Sequence, residues 1–172
     1  EELVPQQLSV GEVQKVLARL LKEKVSIRNL PVILEALADH AGVTRDTAVL
    51  TEYVRQALAR QITQQYRGEG NKVQVFTLSP QLEKRLMDSV QRTEQGSYLM
   101  LEPTFSQQLY QKLREQVMKM WGAGTPPILL TSPALRRYVR DFLEARLPDV
   151  PVLSYNELEP EVEVQSVGVV NL

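Results

Sequence analysis

Apolar residues recur every three or four positions through the first third of the chain, and this spacing predicts amphipathic helices. Ser9 and Glu12 have the spacing of a capping box, in which each side chain bonds the other residue's backbone N–H, and they mark the first helix start. Asn29 is placed to cap a second helix, and Asp46 or Thr44 a third. The stripes that these helices are expected to bury are Val13, Val16, Leu17, Leu20 and Leu21; Leu30, Ile33, Leu34, Leu37 and Ala41; and Leu50, Val54, Ala57, Leu58 and Ile62.

The segment TEYVRQALAR (residues 51–60) lies inside the predicted third helix and carries charge among small and aliphatic residues. The helical period places the arginines opposite the apolar stripe, and Glu52 and Arg55 are three positions apart and able to pair. That polar face is either solvated or in contact with another subunit, because arginine is common in both settings. Its polar members are Glu52, Arg55, Gln56 and Arg60.

The segment RGEGNK (67–72) is the clearest break in the chain, because two glycines and polar flanks precede a change of period. Strand and helix patterns alternate after it, with helices starting at Ser79, Pro103 and Ser132. The inner face of the first of these helices is expected to carry Leu82, Leu86 and Val90. The sequence therefore predicts a mixed α+β fold: a small helical subdomain over residues 1–70, then an α/β layer subdomain over 71–172. The predicted strands are KVQVFTL (72–78), SYLML (97–101), ILLT (128–131), VPVLS (150–154) and EVEVQSVGVV (161–170), the last with a bulge near residues 166–168.

Charge is balanced over the 172 residues, with 20 lysines and arginines against 21 aspartates and glutamates and a formal net charge of −1. General nucleic-acid binders and anionic-membrane binders carry a clear basic excess, so the balance disfavours both classes. The chain has no cysteine, which excludes disulfides, thiolate nucleophiles and zinc–cysteine sites. The longest apolar runs, such as PPILL (126–130), are far too short to span a bilayer.

Three patterns suggest chemistry, and each has a better structural interpretation. His40, the one histidine, ends a predicted helix, where a cation is favourable, and Asp39 points about 100° away from it. The glycines of GAGTPP (122–127) leave a helix and enter a strand, which is the reverse of a phosphate-binding loop. The third pattern is a run of acids with no histidine nearby: Glu157, Glu159, Glu161 and Glu163. We therefore predict no enzyme activity, no cofactor and no metal site.

The densest basic patch lies on the last predicted helix of the α/β subdomain. Arg136 and Arg140 are one turn apart on one side of this helix, and Asp141 dilutes their field. The patch is expected to be either solvated or in contact with a protein partner.

Three long segments resemble the C-terminal cytoplasmic region of the export-gate proteins of type III secretion, the FlhA/LcrD family. They are VSIRNLPVILEALADHA (25–41), LTEYVRQALARQI (50–62) and PALRRYVRDFLEARLPDVPVLSYNEL (133–158). Their order is that of the family, and the resemblance is continuous over essentially the whole chain. TEYVRQALARQI and the ending VEVQSVGVV are more similar to the flagellar branch than to the injectisome branch.

The resemblance implies a non-enzymatic docking and assembly module on the cytoplasmic face of the bacterial inner membrane. In this family, N-terminal membrane helices precede the cytosolic part, which assembles into a ring that is commonly nonameric. The helical subdomain supplies much of the subunit contact. The ring docks chaperone–cargo complexes and works with the export ATPase complex and the substrate-switch protein.

Two sets of charged residues are predicted to contact other proteins, because they could pair with charges on a neighbour. The subunit-contact set is Arg19, Arg28, Glu52, Arg55 and Arg60. The partner-contact set is Arg136, Arg140, Glu157, Glu159 and Glu161. Two other classes stay open: three helices followed by a strand also fit a winged-helix nucleic-acid-binding module, and a carboxylate pair would fit a small α/β enzyme.

Overall fold

The computed structural model describes residues 3–172, except for the side chain of Pro5. The chain divides into two compact units. The helical unit comprises the residues up to Tyr66 together with Asn156–Pro160, and the α/β unit comprises Arg67–Tyr155 with Glu161–Leu172. Helices and a parallel sheet are both present, which confirms the predicted mixed fold class.

In the helical unit, described residues up to Tyr66 form one short helical turn and four α-helices. The turn is Leu3–Gln7, and the helices are α1 (Val10–Lys22), α2 (Leu30–His40), α3 (Thr47–Ala57) and α4 (Ala59–Tyr66). The predicted capping box of α1 is confirmed, because the Ser9 N–H donates to Glu12 Oε1 at 2.9 Å and the Glu12 N–H donates to Ser9 Oγ at 3.1 Å. The apolar residues that the helices bury include Val16, Leu20, Ile33, Leu37, Leu50, Val54 and Ile62.

The prediction of one continuous third helix is wrong, because α3 ends at Ala57 and α4 begins at Ala59. Leu58, at the break, has φ −93° and ψ 17°. Its N–H is shared between the carbonyls of Val54 and Arg55, at 3.0 and 3.1 Å, so the chain tightens into a turn there. No glycine or proline lies at this position, so the sequence pattern did not predict the break between α3 and α4.

The first turns of α2 and α3 are stabilised in different ways. Asp46 is the residue that caps α3, because its carboxylate accepts from the Ala48 N–H at 2.9 Å. Asn29 precedes α2, but its side chain makes no capping bond, so that prediction is wrong. Pro31 lies in the first turn of α2, where a missing N–H leaves no helical bond unmade.

A short segment from the C-terminal half of the chain, Asn156–Pro160, folds as part of the helical unit. Thr63 on α4 holds its backbone: the hydroxyl accepts from the Glu159 N–H at 2.9 Å and donates to the Glu157 carbonyl at 3.5 Å. The predicted division had a single boundary near residue 70 and placed all of residues 71–172 in the α/β subdomain. The structure differs because this segment leaves the α/β unit at Tyr155 and returns to it at Glu161.

The α/β unit contains four parallel strands, a hairpin and three helices. They are β1 (Lys72–Leu78), α5 (Pro80–Asp88), β2 (Val90–Thr93), β3 (Gly96–Leu99), α6 (Pro103–Gly122), β4 (Leu129–Thr131), α7 (Arg136–Glu144), β5 (Val152–Ser154) and β6 (Glu163–Val170). The sheet order is β5–β4–β1–β6, with every pair parallel. The strand after the helices, β1, therefore does not form the antiparallel wing that the winged-helix alternative requires.

β6 carries the bulge predicted near residues 166–168. Val75 of β1 pairs with Ser166, and Phe76 pairs with Gly168, so Val167 is the extra residue. The buried core of this unit joins the sheet to α5, α6 and α7. Its residues include Phe76, Leu82, Leu86, Phe105, Leu109, Leu113, Val117, Leu129, Leu135, Val139, Leu143 and Val170.

Two elements of the α/β unit differ from the prediction. Val90 was expected on the inner face of a helix, but α5 ends at Asp88 and Val90 begins β2, which pairs with β3 in antiparallel fashion. The last helix was expected to start at Ser132 and starts instead at Arg136. The Ser132 carbonyl accepts from the N–H groups of Leu135 and Arg136, both at 3.1 Å, so a turn precedes the helix.

Candidate functional site

Arg55 does not lie on a polar surface, as the sequence pattern predicted, because it is 2% exposed. Its guanidinium makes a two-point ion pair with Glu157: Nε lies 2.7 Å from Oε2, and Nη2 lies 3.0 Å from Oε1. Glu157 is itself 1% exposed, and the carboxylate of Glu23 lies 3.7 Å from Arg55 Nη1. The prediction that Arg55 and Glu157 contact other proteins is wrong, because both charges are engaged inside the helical unit.

The buried arc of α3 is wider than the predicted apolar stripe and includes polar residues. Arg55 follows Val54 at about 100° around the helix, which places it at the margin of the stripe. Thr51, also buried, is accommodated because its hydroxyl donates to the Thr47 carbonyl at 2.6 Å. Whether a residue at the margin of a stripe is exposed depends on the groups that pack against it. Arg55 is covered by the carboxylate of Glu157, which lies 102 positions away in sequence.

Arg136 and Arg140 are also buried, at 1% and 8% exposure. Arg136 Nη1 donates to the Val152 carbonyl at 2.9 Å. Arg140 Nη1 donates to the carbonyls of Pro148 and Val150, at 2.9 and 3.4 Å. These bonds satisfy the backbone that leads into β5, so the prediction that both arginines contact partners is wrong.

Three of the predicted subunit contacts are exposed: Arg19 in the last turn of α1, Arg28 in the connection between α1 and α2, and Arg60 on α4. Arg60 is on α4, and the next residue, Gln61, donates its side-chain amide to the Ser26 carbonyl at 2.8 Å. This bond holds α4 beside the α1–α2 connection. Glu52, the other member of the set, is half-buried.

Two leucines near this connection were predicted to be buried and are exposed. Leu21 is 53% exposed in the last turn of α1, and Leu30 is 41% exposed at the start of α2. Each lies at one end of its predicted stripe. We use the name α1–α2 corner for the exposed residues in the connection, in the helix turns that flank it and at the start of α4: Arg19, Leu21, Arg28, Leu30 and Arg60.

The groups considered for chemistry are dispersed. Glu159 is half-buried, Glu161 is exposed, and Glu163 lies 3.7 Å from the Lys72 ammonium. His40 stacks on Tyr53 with ring centroids 3.8 Å apart. Within residues 3–172, no group of three or more histidine, aspartate or glutamate side chains is placed to hold a metal ion. In the same range, no helix has the length and apolar character needed to cross a membrane.

A groove of about 290 Å³ lies between the β2–β3 hairpin, the start of α6 and α7. Arg146 stacks over the ring of Phe142 at 4.1 Å, which stiffens one wall. Tyr98 and Met100 beside it are 47% and 62% exposed. We call it the hairpin groove. Its lining is mixed: the apolar and aromatic members are Tyr98, Leu99, Leu101, Tyr138 and Phe142, and the polar members are Ser97, Ser106, Asp141 and Arg146. The groove was not predicted from the sequence, because the pattern placed Val90 on a helix and gave no strand to pair with residues 97–101.

An exposed ion pair joins the start of α1 to the turn before α3. Arg45 Nη2 lies 2.7 Å from Glu12 Oε1, and the Ser9 N–H bonds the same carboxylate. The Arg45 hydrogen bond and then the Ser9 N–H lower the pKa of Glu12 from 4.5 to about 2. The carboxylate therefore stays ionised well into acid.

The sequence matches the FHIPEP family over residues 1–163. It is 52% identical over 172 residues to the flagellar biosynthesis protein FlhA of Bacillus subtilis (strain 168), a match that covers all of this chain and 25% of that protein. It is 34% identical over 154 residues to the low calcium response locus protein D of Yersinia pestis, covering 90% of this chain and 22% of that protein. The chain thus spans about a quarter of the length of these relatives, and the identities favour the flagellar branch.

The fold is similar to solved structures of type III secretion proteins. The CdsV protein of Chlamydia pneumoniae gives a TM-score of 0.89 at 32% identity, covering 98% of this chain and 48% of that one. The nonameric SctV-C of EPEC gives 0.85 at 33% identity, over 96% and 49% of the two chains. A complex of the CdsV and CdsO proteins of Chlamydia pneumoniae gives 0.88 at 33% identity, over 96% and 49%.

Proposed function

Because this chain belongs to the FHIPEP family of flagellar and type III export-gate proteins, we propose that it is a docking and assembly module of a flagellar export gate on the cytoplasmic face of the inner membrane. The observation that carries the proposal is the 52% identity to FlhA across the whole chain. The module presents surfaces to other polypeptides and catalyses no reaction. In support, two of the side chains considered for chemistry are engaged in other contacts: Glu157 pairs with Arg55, and His40 stacks on Tyr53.

The helical unit supplies a contact between copies in a ring, through the α1–α2 corner. The SctV-C relative is nonameric, and it covers 96% of this chain. Within residues 3–172, the arginines of the corner make no ion pair, and its leucines are 53% and 41% exposed. A neighbour that offers acids around an apolar patch would bury the leucines and pair the arginines.

Ring assembly tests this contact in the longer cytosolic region of the parent protein. Leu30→Glu and Arg60→Glu should each reduce the ring fraction measured by mass photometry, because they place a carboxylate at the contact. Val43→Glu is the matched control, since Val43 is 80% exposed in the turn after α2 and lies outside the corner. Unchanged rings in both corner variants, with circular dichroism showing intact folds, would remove the corner from the proposal.

The α/β unit docks export components, which are chaperone–cargo complexes, parts of the export ATPase complex and the substrate-switch protein. The hairpin groove supports this role, because exposed aromatic and methionine side chains beside a concave surface of mixed polarity are typical of protein-binding surfaces. The CdsV relative has been solved in complex with the CdsO protein. Glu159 and Glu161 stay in the proposal as secondary contacts.

Site-specific crosslinking in cells tests the docking surface. A photoreactive amino acid at Tyr98 or Met100 should capture a chaperone, its cargo or an ATPase-complex protein. The same amino acid at Val43, which is 80% exposed in the helical unit and does not line the groove, is the matched control. Equal capture at Val43, or no export component captured at the groove, counts against the docking surface.

A further inference from the structure

The outer edge of β6 offers backbone hydrogen-bonding groups. β6 is at one end of the sheet and pairs with β1 along Glu163–Val170. The Val170 carbonyl accepts from the Ser79 N–H at 2.9 Å, so it points toward β1. Successive residues of a strand present their backbone groups to opposite sides. The N–H and C=O of Val169 therefore point away from β1, at the outer edge.

The last three residues of β6, 168–170, lack the features that protect natural edge strands, which are lysines, prolines and bulges that turn the edge away. The strand EVQSVGVV contains neither lysine nor proline. The bulge at Val167 and the contact of Glu163 with Lys72 precede these three residues. Val169, among the three, is 60% exposed. An extended chain can therefore approach this part of the edge.

A groove of about 370 Å³ lies between this edge and α6. Residues 169–171 line one side, and Lys112, Gln116 and Lys119 line the other. Gly168 leaves room for the Gln116 side chain, because a Cβ there would lie 2.6 Å from Gln116 Cδ. The groove thus runs alongside the exposed backbone and could take up the side chains of an added strand.

The charged side chains that line the groove favour an acidic partner strand over a basic one. Lys112 lies 4.0 Å from Glu115, so that pair is close to neutral. Lys119 makes no ion pair within residues 3–172, which leaves one uncompensated positive charge beside Val169. An acidic side chain on an incoming strand would meet this charge, whereas a basic one would be repelled.

We propose that the outer edge of β6, at residues 168–171, binds an extended segment of a partner protein in which apolar and acidic residues alternate. The segment adds a strand to the sheet: its backbone pairs with Val169, its apolar side chains contact the exposed valines, and an acid contacts Lys119. This surface is separate from the α1–α2 corner and from the hairpin groove. Its test uses the isolated chain, so its failure would leave the proposed ring contact and docking role unaffected.

A synthetic peptide tests the proposal: an acetylated and amidated chain of alternating valine and glutamate. At saturation it should slow hydrogen exchange of the Val169 amide at least about tenfold, because that N–H gains an acceptor. Val169→Pro should weaken peptide binding at least about tenfold, because proline has no N–H to donate at the outer edge. The bonds between β6 and β1 remain, since the Val169 N–H points away from β1. Val169→Thr, which keeps the N–H, should bind within about threefold of the parent chain.

Variants of Lys119 test whether its charge is the reason that an acidic segment is preferred. Lys119→Glu should weaken binding of the valine–glutamate peptide and strengthen binding of a peptide in which lysine replaces each glutamate. Lys84→Glu, at an exposed position on α5, is the control. The proposal fails if the lysine and glutamate peptides bind the parent chain equally. It also fails if Val169 shows no protection at millimolar peptide, or if Val169 becomes protected at high protein concentration without peptide, which would identify a second copy as the occupant.

Discussion

The ion pair between Arg55 and Glu157 should be a major determinant of the stability of the helical unit, and a double-mutant cycle measures it. Arg55→Met and Glu157→Gln each remove one charge and keep a side chain of similar length. Both positions are at most 2% exposed, so each single variant leaves the other charge buried without its two-point contact. The double variant leaves neither charge behind.

The expected magnitude follows from the burial and the neighbouring carboxylate. Removing one partner of a buried pair costs about 3–5 kcal/mol, because the remaining charge is neither solvated nor compensated. Glu23, 3.7 Å from Arg55 Nη1, still compensates the arginine in Glu157→Gln. That variant should therefore lose about 3 kcal/mol and Arg55→Met about 4 kcal/mol. The double variant should lose about 3–4 kcal/mol less than the sum of the singles.

Urea unfolding of the whole chain is the assay, with one probe that follows both units and one that reports on the α/β unit alone. Far-UV circular dichroism follows the helices of both units, whereas the fluorescence of Trp121, the one tryptophan, reports on the α/β unit. The circular dichroism midpoint of each single variant should fall by about 1–2 M urea, and the fluorescence midpoint should fall less. A coupling energy below about 1 kcal/mol would refute the reasoning, since it would mean that the buried charges are stabilised by other groups.

Two further predictions concern charges that hold the backbone or a helix start. The pKa of Glu12 is lowered from 4.5 to about 2, so its contribution to stability is fully present above pH 4.5 and is lost as the pH falls toward 2. The difference in urea midpoint between the parent chain and Glu12→Gln should therefore shrink through that window, and a constant difference would contradict the assignment. Arg136→Met should lower the stability reported by Trp121 fluorescence by about 1–3 kcal/mol, because the Val152 carbonyl loses a buried donor. Arg136→Lys should recover only part of this loss, and full recovery would show that the planar guanidinium is not required.

Much of the fold was predictable because its signals are local. The capping box at Ser9, the strand over residues 72–78 and the bulge near Val167 depend on neighbours a few positions apart, and the structure confirms all three. The break at Leu58 was not predictable, since its sequence favours a continuous helix. The placement of Asn156–Pro160 in the helical unit depends on Thr63, which lies 96 positions from Glu159.

The candidate site was less predictable, because a charged residue beside an apolar stripe has two outcomes that look alike in sequence. Arg60 stayed exposed, while Arg55, on the preceding helix, was covered by a carboxylate from a distant segment. Arg136 was covered in the same way by a backbone carbonyl. Spacing alone does not reveal which distant group supplies the partner, so the charge pattern identified both solvent-facing and structural arginines as contacts.

Apolar exposure is the better guide to the remaining surfaces, for an energetic reason. A buried arginine whose hydrogen bonds are made within the fold is not available to contact another protein. An exposed leucine or valine, in contrast, contributes about 25 cal/mol of binding free energy for each Å² of its surface that a partner covers. Leu21 and Leu30 at the α1–α2 corner, Tyr98 at the hairpin groove and Val169 at the β6 edge all have this unsatisfied surface. The exposed arginines and lysines around them then decide which partner binds, because an apolar patch attracts without discrimination and an adjacent charge rejects the wrong sign.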